Sequence, residues 1–255
     1  DTMTIDNAIV SDHEGNVLFY TNGTEVYNIG ADSNMYKMFN GIINPIEWEE
    51  RFKLYSIIVP DRSKENIYYL IQSSHKKYLT IFIIDMMQEN GAGMVVGYDT
   101  IFTDKVIGPI TTTSHKNNRD AWLIALADNE KADLDFSTFS YLIDVKGVNK
   151  TPIVSDFSVN DRDIFQNNKM CIFCIIPSTH INLRISNNSK YLGFKFCHSD
   201  YARVSLFFLF HFDNNSGKVQ NKIEFRDGTE SMIDSMTDTQ FNFSSNEKYI
   251  YTFNR

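Results

Sequence analysis

Cys171 and Cys174 stand in a Cys-x-x-Cys pair, Cys197-His198 follows, and His180 lies between them. Four such ligands in a tetrahedral array are the donor set of structural zinc. A Cys-x-x-Cys knuckle, however, sits on a turn that brings both sulfurs to one side. Here the surrounding residues, Met170 to Ile176, read as a strand, where positions i and i+3 point to opposite faces. Cys171, Cys174 and Cys197 are therefore read as core thiols, with a zinc site including His198, or a disulfide to Cys197, as the weaker alternatives. No metal or other cofactor is assigned.

A second constellation, His115 and Asp120 with Trp122, has the residue types of general acid–base chemistry. It lacks a nucleophile motif such as G-x-S-x-G. The reading preferred is a hairpin turn in which His and Asp bond the local backbone and Trp packs against a neighbouring sheet. Asp12, Glu14, Asp213 and Asn215 offer oxygen ligands at short spacing, as calcium sites do, but "DNNSG" is not followed by the distal Glu of an EF-hand loop. These too are read as Asx-type turns. Asn22, Asn149, Asn187, Asn214 and Asn242 open Asn-x-Ser/Thr triplets, a number that chance supplies in an Asn-rich chain, and no glycan is attached to them. No catalytic residue is assigned.

The elements that must position these residues are strands. Short apolar runs recur, among them Val17 to Tyr20, Leu54 to Val59, Ile67 to Ile71, Tyr78 to Ile84, Ala121 to Ala127, Tyr191 to Phe196 and Val204 to Phe212, each bounded by Asn, Asp, Gly or Ser. Only Pro45 to Tyr55 carries a brief helical signature. The 255 residues include 20 Phe and 13 Tyr, a strand-favouring composition, and three cysteines are too few for a disulfide scaffold. Acidic residues number 32 against 24 basic ones, and the lysines are scattered, which argues against a nucleic-acid partner. No apolar run reaches the eighteen or so residues of a membrane-spanning helix.

Internal repetition carries the fold expectation. "LRISNNSKYLGFKF" (183–196) and "QFNFSSNEKYIYTFNR" (240–255) share a strand, a polar turn ending in Lys, and a second strand opening on Tyr. Looser copies begin at Ala8, Ser56 and Thr111. The residues opening each second strand, Asn16, Asn66, Asp120, Lys190 and Lys248, are 50, 54, 70 and 58 residues apart. Blade repeats of β-propellers run to about 40–50 residues and lengthen by insertion. The expected fold is thus all-β, a β-propeller of four-stranded antiparallel blades, with roughly four to five blades in one incomplete domain spanning 1–255. The blade units fall near 1–52, 53–108, 109–169, 170–232 and, partially, 233–255.

Six segments in order carry a resemblance: "VSDHEGNVLFYTNGTEVYN", "MFNGI", "YSIIVPDRSKENIYYLI", "SHKNNRDAWLIAL", "STFSYLIDVKGVNKTPIVS" and "FHFDNNSGKV". Together they resemble the N-terminal WD-repeat-like propeller of the type IX secretion, gliding-motility-associated surface proteins of Bacteroidota. The resemblance implies a secreted protein on the outer face of the outer membrane, with further blades and a sorting domain, and carries no catalytic residue across.

From these readings the expected function is a non-catalytic binding or scaffolding module, not an enzyme, that takes a protein or glycan ligand at a propeller rim, as an adhesin-like part of a larger surface complex. The binding-loop candidates are Tyr36 and Trp48 in the insert Asn28 to Arg51, Asp128 and Lys131 in the segment Ala127 to Phe136, and Lys146 in Lys146 to Thr151. Two rivals stand beside it: a propeller hydrolase or lyase acting on surface glycans, and a structural subunit of the export or gliding machinery.

Overall fold

A computed structural model describes residues 7–30, 33–43, 54–74, 76–128, 135–158, 180–197, 205–226 and 239–254. Among them the only helical element is a single 3-10 turn, Glu89–Gly91. Everything else of regular structure is β. Strands β1 (Ala8–Ser11), β2 (Val17–Thr21), β3 (Glu25–Ile29) and β4 (Met35–Ile42) make an antiparallel meander. A second meander joins β5 (Tyr55–Pro60), β6 (Ile67–Ser73), β7 (Lys76–Asp85) and β8 (Met94–Ser114). Next come β9 (Ala121–Asp128), β10 (Asp135–Asp144), β11 (Gly147–Val148) and β12 (Ile153–Ser158), with β10 antiparallel to both β9 and β12. A third meander is β13 (His180–Ile185), β14 (Tyr191–Cys197), β15 (Ser205–Asp213) and β16 (Lys218–Arg226), and β17 (Thr239–Phe243) pairs β18 (Ile250–Asn254).

The chain divides into two compact units, Asp1–Ile110 with Asp144–Gly147, and Thr111–Ile143 with Val148–Arg255. In the first, β1–β4 and β5–β8 share a core of Phe19, Val26, Met38, Ile43, Leu70, Phe82, Ile84 and Val95. β4 meets β8 in parallel only at Phe39 and Met94, so β-ladder bonding between the two meanders is minimal. Side-chain burial does the joining. The second unit is aromatic: Phe136 on β10 lies 5.4 Å from both Phe157 on β12 and Phe194 on β14, 5.8 Å from Phe208 and 6.0 Å from Phe210 on β15. On the far side of the β13–β16 sheet, Phe207 meets Phe241 of β17 edge to face at 4.9 Å. Such offset and edge contacts let each ring add to the area it buries.

One local device recurs at the hairpins. In the turns opening at Asp12, His115, Ser186 and Ser244, the first residue's C=O accepts from the N–H three residues on, and its own N–H reaches the strand beyond the turn. The fourth residue, Gly15, Asn118, Ser189 or Glu247, takes positive φ. A side-chain oxygen completes each: Asp12 Oδ1 accepts from the N–H of Glu14 and Asn16, while Ser186 and Ser244 Oγ accept from Tyr191 and Tyr249 N–H. Asp, Asn and Ser are used because a short polar side chain can mimic a backbone carbonyl. The fifth hairpin, Asp61 to Ile67, places its positive φ on Asn66 instead.

Several sequence expectations need correction here. The insert Asn28 to Arg51 is not a continuous loop, because the end of β3 and all of β4 lie inside it. Tyr36 is a strand residue on β4, in register with Asn28 and 49 % exposed. Asp128 ends β9 with only 1 % exposure, so it is a buried strand terminus and not a displayed loop residue. At the end of the Pro45 to Tyr55 segment, Tyr55 already opens β5, and residues 45–53 lie outside the described residues. Trp48, Lys131, Cys171, Cys174 and His198 also lie outside them. Cys197 is described by its backbone alone, as the last residue of β14, paired with His180.

Candidate functional site

The aspartates that resembled calcium or acid–base residues are each satisfied within a turn. Asp213 accepts from Ser216 Oγ at 2.6 Å and Asn215 N–H at 3.0 Å, and these two bonds hold its carboxyl below the ordinary range. Asp12 is held low in the same way, first by the Asn16 side chain. For Asp120 the principal cause is Arg119, whose Nε lies 3.1 Å away, followed by the Asn117 amide at 2.7 Å. A carboxylate held ionised by its own hairpin is a poor general acid. Among the described residues no group of three or more His, Cys, Asp or Glu side chains converges as a metal site would require.

His115 has no free nitrogen for catalysis. Its Nδ1 accepts from Asn117 N–H at 3.1 Å, which leaves Nε2 to donate to the Asn215 carbonyl at 3.1 Å. Trp122 Nε1 donates to the Asn214 carbonyl at 2.9 Å, and its ring lies against Gly217. The turn His115–Asp120 and the turn Asp213–Gly217 are thereby fastened together, as the packing reading of this constellation anticipated.

Asp61 is the most enclosed of the turn acids. Burial opposes its ionisation, but bonds from Ser63 Oγ at 2.7 Å, Ser63 N–H at 2.9 Å and Tyr69 Oη at 2.8 Å outweigh it, so its folded value is depressed. Tyr69 responds in the opposite sense, raised first by burial and then by its bond to Asp61. A depressed carboxyl contributes stability that is present above its unfolded value, about 3.9, and lost as pH falls through the folded value. The stability gap between the native chain and Asp61→Asn is therefore expected to narrow as pH falls from about 5 to about 2. Urea midpoints across that range measure it, and a gap independent of pH would refute it.

Two buried polar places were not legible in the sequence. At the end of β6, Gln72 Nε2 donates to the Gly23 carbonyl at 2.8 Å and Ser56 Oγ at 3.1 Å, while its Oε1 is buried without a hydrogen-bond partner. Ser73 beside it bonds the Gly108 carbonyl. On β14, Lys195 is 3 % exposed and stands opposite Asn182, whose Oδ1 is likewise buried and unpartnered. Each polar residue here closes or interrupts an apolar run, which is the one signal that could have marked it. Lys146, by contrast, lies where the sequence put it, exposed in the turn after β10, its N–H bonded to Asp144 Oδ1 at 2.7 Å.

No family model matches the chain, and no curated protein matches its sequence. Solved structures do match. A protein from Bacteroides fragilis described as a candidate 6-phosphogluconolactonase superposes with a TM-score of 0.53 at 14% identity, over 96% of this chain and 61% of that one. The periplasmic gluconolactonase PpgL of Pseudomonas aeruginosa gives 0.52 at 14%, over 97% and 62%. The WD40 domain of SCAP from fission yeast gives 0.39 at 12%, over 96% and 67%. The chain thus has a β-propeller fold of antiparallel blades, as expected, and spans about three-fifths of the length of the two lactonase structures. The likeness does not extend to the type IX secretion class. It also corrects the expectation of a non-catalytic scaffold that is no enzyme: the two folds followed along almost the whole chain bear hydrolase names, so the hydrolase alternative is carried forward.

Proposed function

We propose that the chain supplies blades of a propeller hydrolase that opens cyclic esters of sugar acids. The observation that supports this most is the superposition of 96–97% of the chain on two propellers named as lactonases. In the reaction, water adds to the ring carbonyl, the ring C–O bond breaks, the ring oxygen leaves as a hydroxyl, and the product acid releases one proton near neutral pH. A carbonyl that becomes an oxyanion needs hydrogen-bond donors already in place, and the attacking water needs an acceptor. Asp12, Asp61, Asp120 and Asp213 are occupied as turn acceptors, so the catalytic base of this proposal is not one of them.

A substrate panel tests the proposal. Six-membered sugar lactones with and without a phosphate ester, an acyclic ester of the same acid, and an aryl glycoside are compared by proton or chromophore release. Preferential turnover of the lactones is the expected result, and the phosphorylated member reports whether the site takes an anionic sugar. Turnover of the glycoside with inert lactones would replace this reading by glycan cleavage.

A further inference from the structure

Lys195 on β14 is a cation enclosed within the second unit. Its cross-strand neighbours are Asn182 on β13 and Phe207 on β15, and it shares a face of the sheet with Gly193. β17 lies against that face: Phe241 meets Phe207 edge to face, and a Cβ on Gly193 would come within 2.5 Å of the Phe241 ring. Lys195 is only 3 % exposed, and no hydrogen bond or ion pair reaches it among the described residues. Asn182 Oδ1 opposite it is likewise buried and without a partner. A buried charge and a buried carbonyl oxygen are each costly until something satisfies them. The pair lies one step from the end of the β13–β14 ladder, which closes at His180 and Cys197, so it sits at the rim of the sheet and not in its middle.

We propose that Lys195 and Asn182 form a subsite for a 2-hydroxy carboxylate, the head group of a sugar acid. The two residues ask different things of a ligand. An ammonium only donates and pairs best with an anionic acceptor, whereas an amide oxygen only accepts and needs a donor. Acetate meets the first demand and not the second. A carboxylate with a hydroxyl on the next carbon meets both: its oxygens accept from Lys195 Nζ while the hydroxyl donates to Asn182 Oδ1. Cross-strand neighbours have Cβ atoms about 4.5–5.5 Å apart, a separation that one such head group spans. The phenyl rings of Phe207 and Phe241 keep this corner apolar, which strengthens both bonds. In the intact lactone the ring carbonyl takes the place of the carboxylate, so Lys195 donates to that oxygen as it becomes an oxyanion. The choice of a sugar acid rests on the hydrolase reading, which this subsite deepens.

Calorimetric titration of the purified 255-residue chain with gluconate, 2-deoxygluconate and acetate, up to about 10 mM, tests it. The native chain is expected to bind gluconate about ten-fold more tightly than 2-deoxygluconate, and acetate most weakly. Lys195→Met is expected to weaken gluconate about ten-fold or more, and Asn182→Leu to bind the two sugar acids alike. Circular dichroism melts report folding; a Lys195 with a structural role alone would move the melt and leave the affinities unchanged. Should the methionine variant fail to fold, the loss of discrimination in Asn182→Leu decides. Gluconate that does not bind the native chain, equal affinity of the native chain for the two sugar acids, or unchanged affinity in folded Lys195→Met would overturn the proposal. Lactone turnover by the same proteins separates the two readings. Turnover with any of those binding results removes the subsite and keeps the hydrolase, whereas the expected binding pattern without turnover keeps the subsite and removes the hydrolase.

Discussion

Replacing Phe136 with alanine is expected to lower unfolding stability by about 3–5 kcal/mol, the cost of deleting a buried phenyl and leaving a void. The size follows from where the ring sits. Phe136 is fully buried on β10 and touches Phe157, Phe194, Phe208 and Phe210, so it is shared by two sheets of the second unit. Its four neighbours are fixed on strands and cannot collapse inward together. Phe136→Leu keeps most of the volume and is expected to cost less than half as much. Chemical denaturation followed by far-ultraviolet dichroism measures both, and equal midpoints for the alanine variant and the native chain would show that the ring does not join the sheets.

The second large effect is expected at Gly217. Its φ is +75°, a conformation that costs an L-residue about 1–2 kcal/mol, and a Cβ there would lie 2.7 Å from the Trp122 ring. The indole cannot retreat freely, because its Nε1 is bonded to the Asn214 carbonyl. Gly217→Ala is therefore expected to destabilise by about 2–4 kcal/mol, through strain and overpacking together. Fluorescence in a Trp48→Phe background isolates Trp122, whose emission should shift as the ring is displaced. Gly15→Ala is the control, since that glycine has positive φ but nothing within 4 Å, so it should show the strain cost and no contact cost. Equal losses at the two positions would contradict the assigned contact.

The hairpins were legible because their chemistry is local. Asp, Ser or His opening a turn, with a positive-φ position within five residues, recurs at Asp12, Asp61, His115, Ser186 and Ser244. β9 was legible for another reason: "AWLIALAD" is buried at every position and reads as one apolar run. β4 and most of β8 were not. β4 buries only Met38 and Gly41, and β8 mixes Gly97, Asp99 and Thr100 with its apolar residues, because both run where one face is open. An outer strand without a buried face has no period-2 signature to read.

The site was harder to see than the fold. Asp12, Asp120, Asp213 and His115 have the side chains that catalysis and metal binding use, but their places in polar turns already favoured a structural reading, and the distances supply the partners. Gln72 and Lys195 have no such motif, and burial alone distinguishes them from other polar residues in strands. At 14% identity the lactonase propellers share with this chain the course of the backbone, and few of the side chains themselves.

The proposed opening of lactone rings is measured most directly by the initial rate of proton release at constant pH. With a six-membered sugar lactone, the rate is expected to rise in proportion to the concentration of folded chain, to saturate with lactone, and to disappear when the chain is unfolded by heat. A rate equal to spontaneous ring opening at every chain concentration, with both plain and phosphorylated lactones, would contradict it.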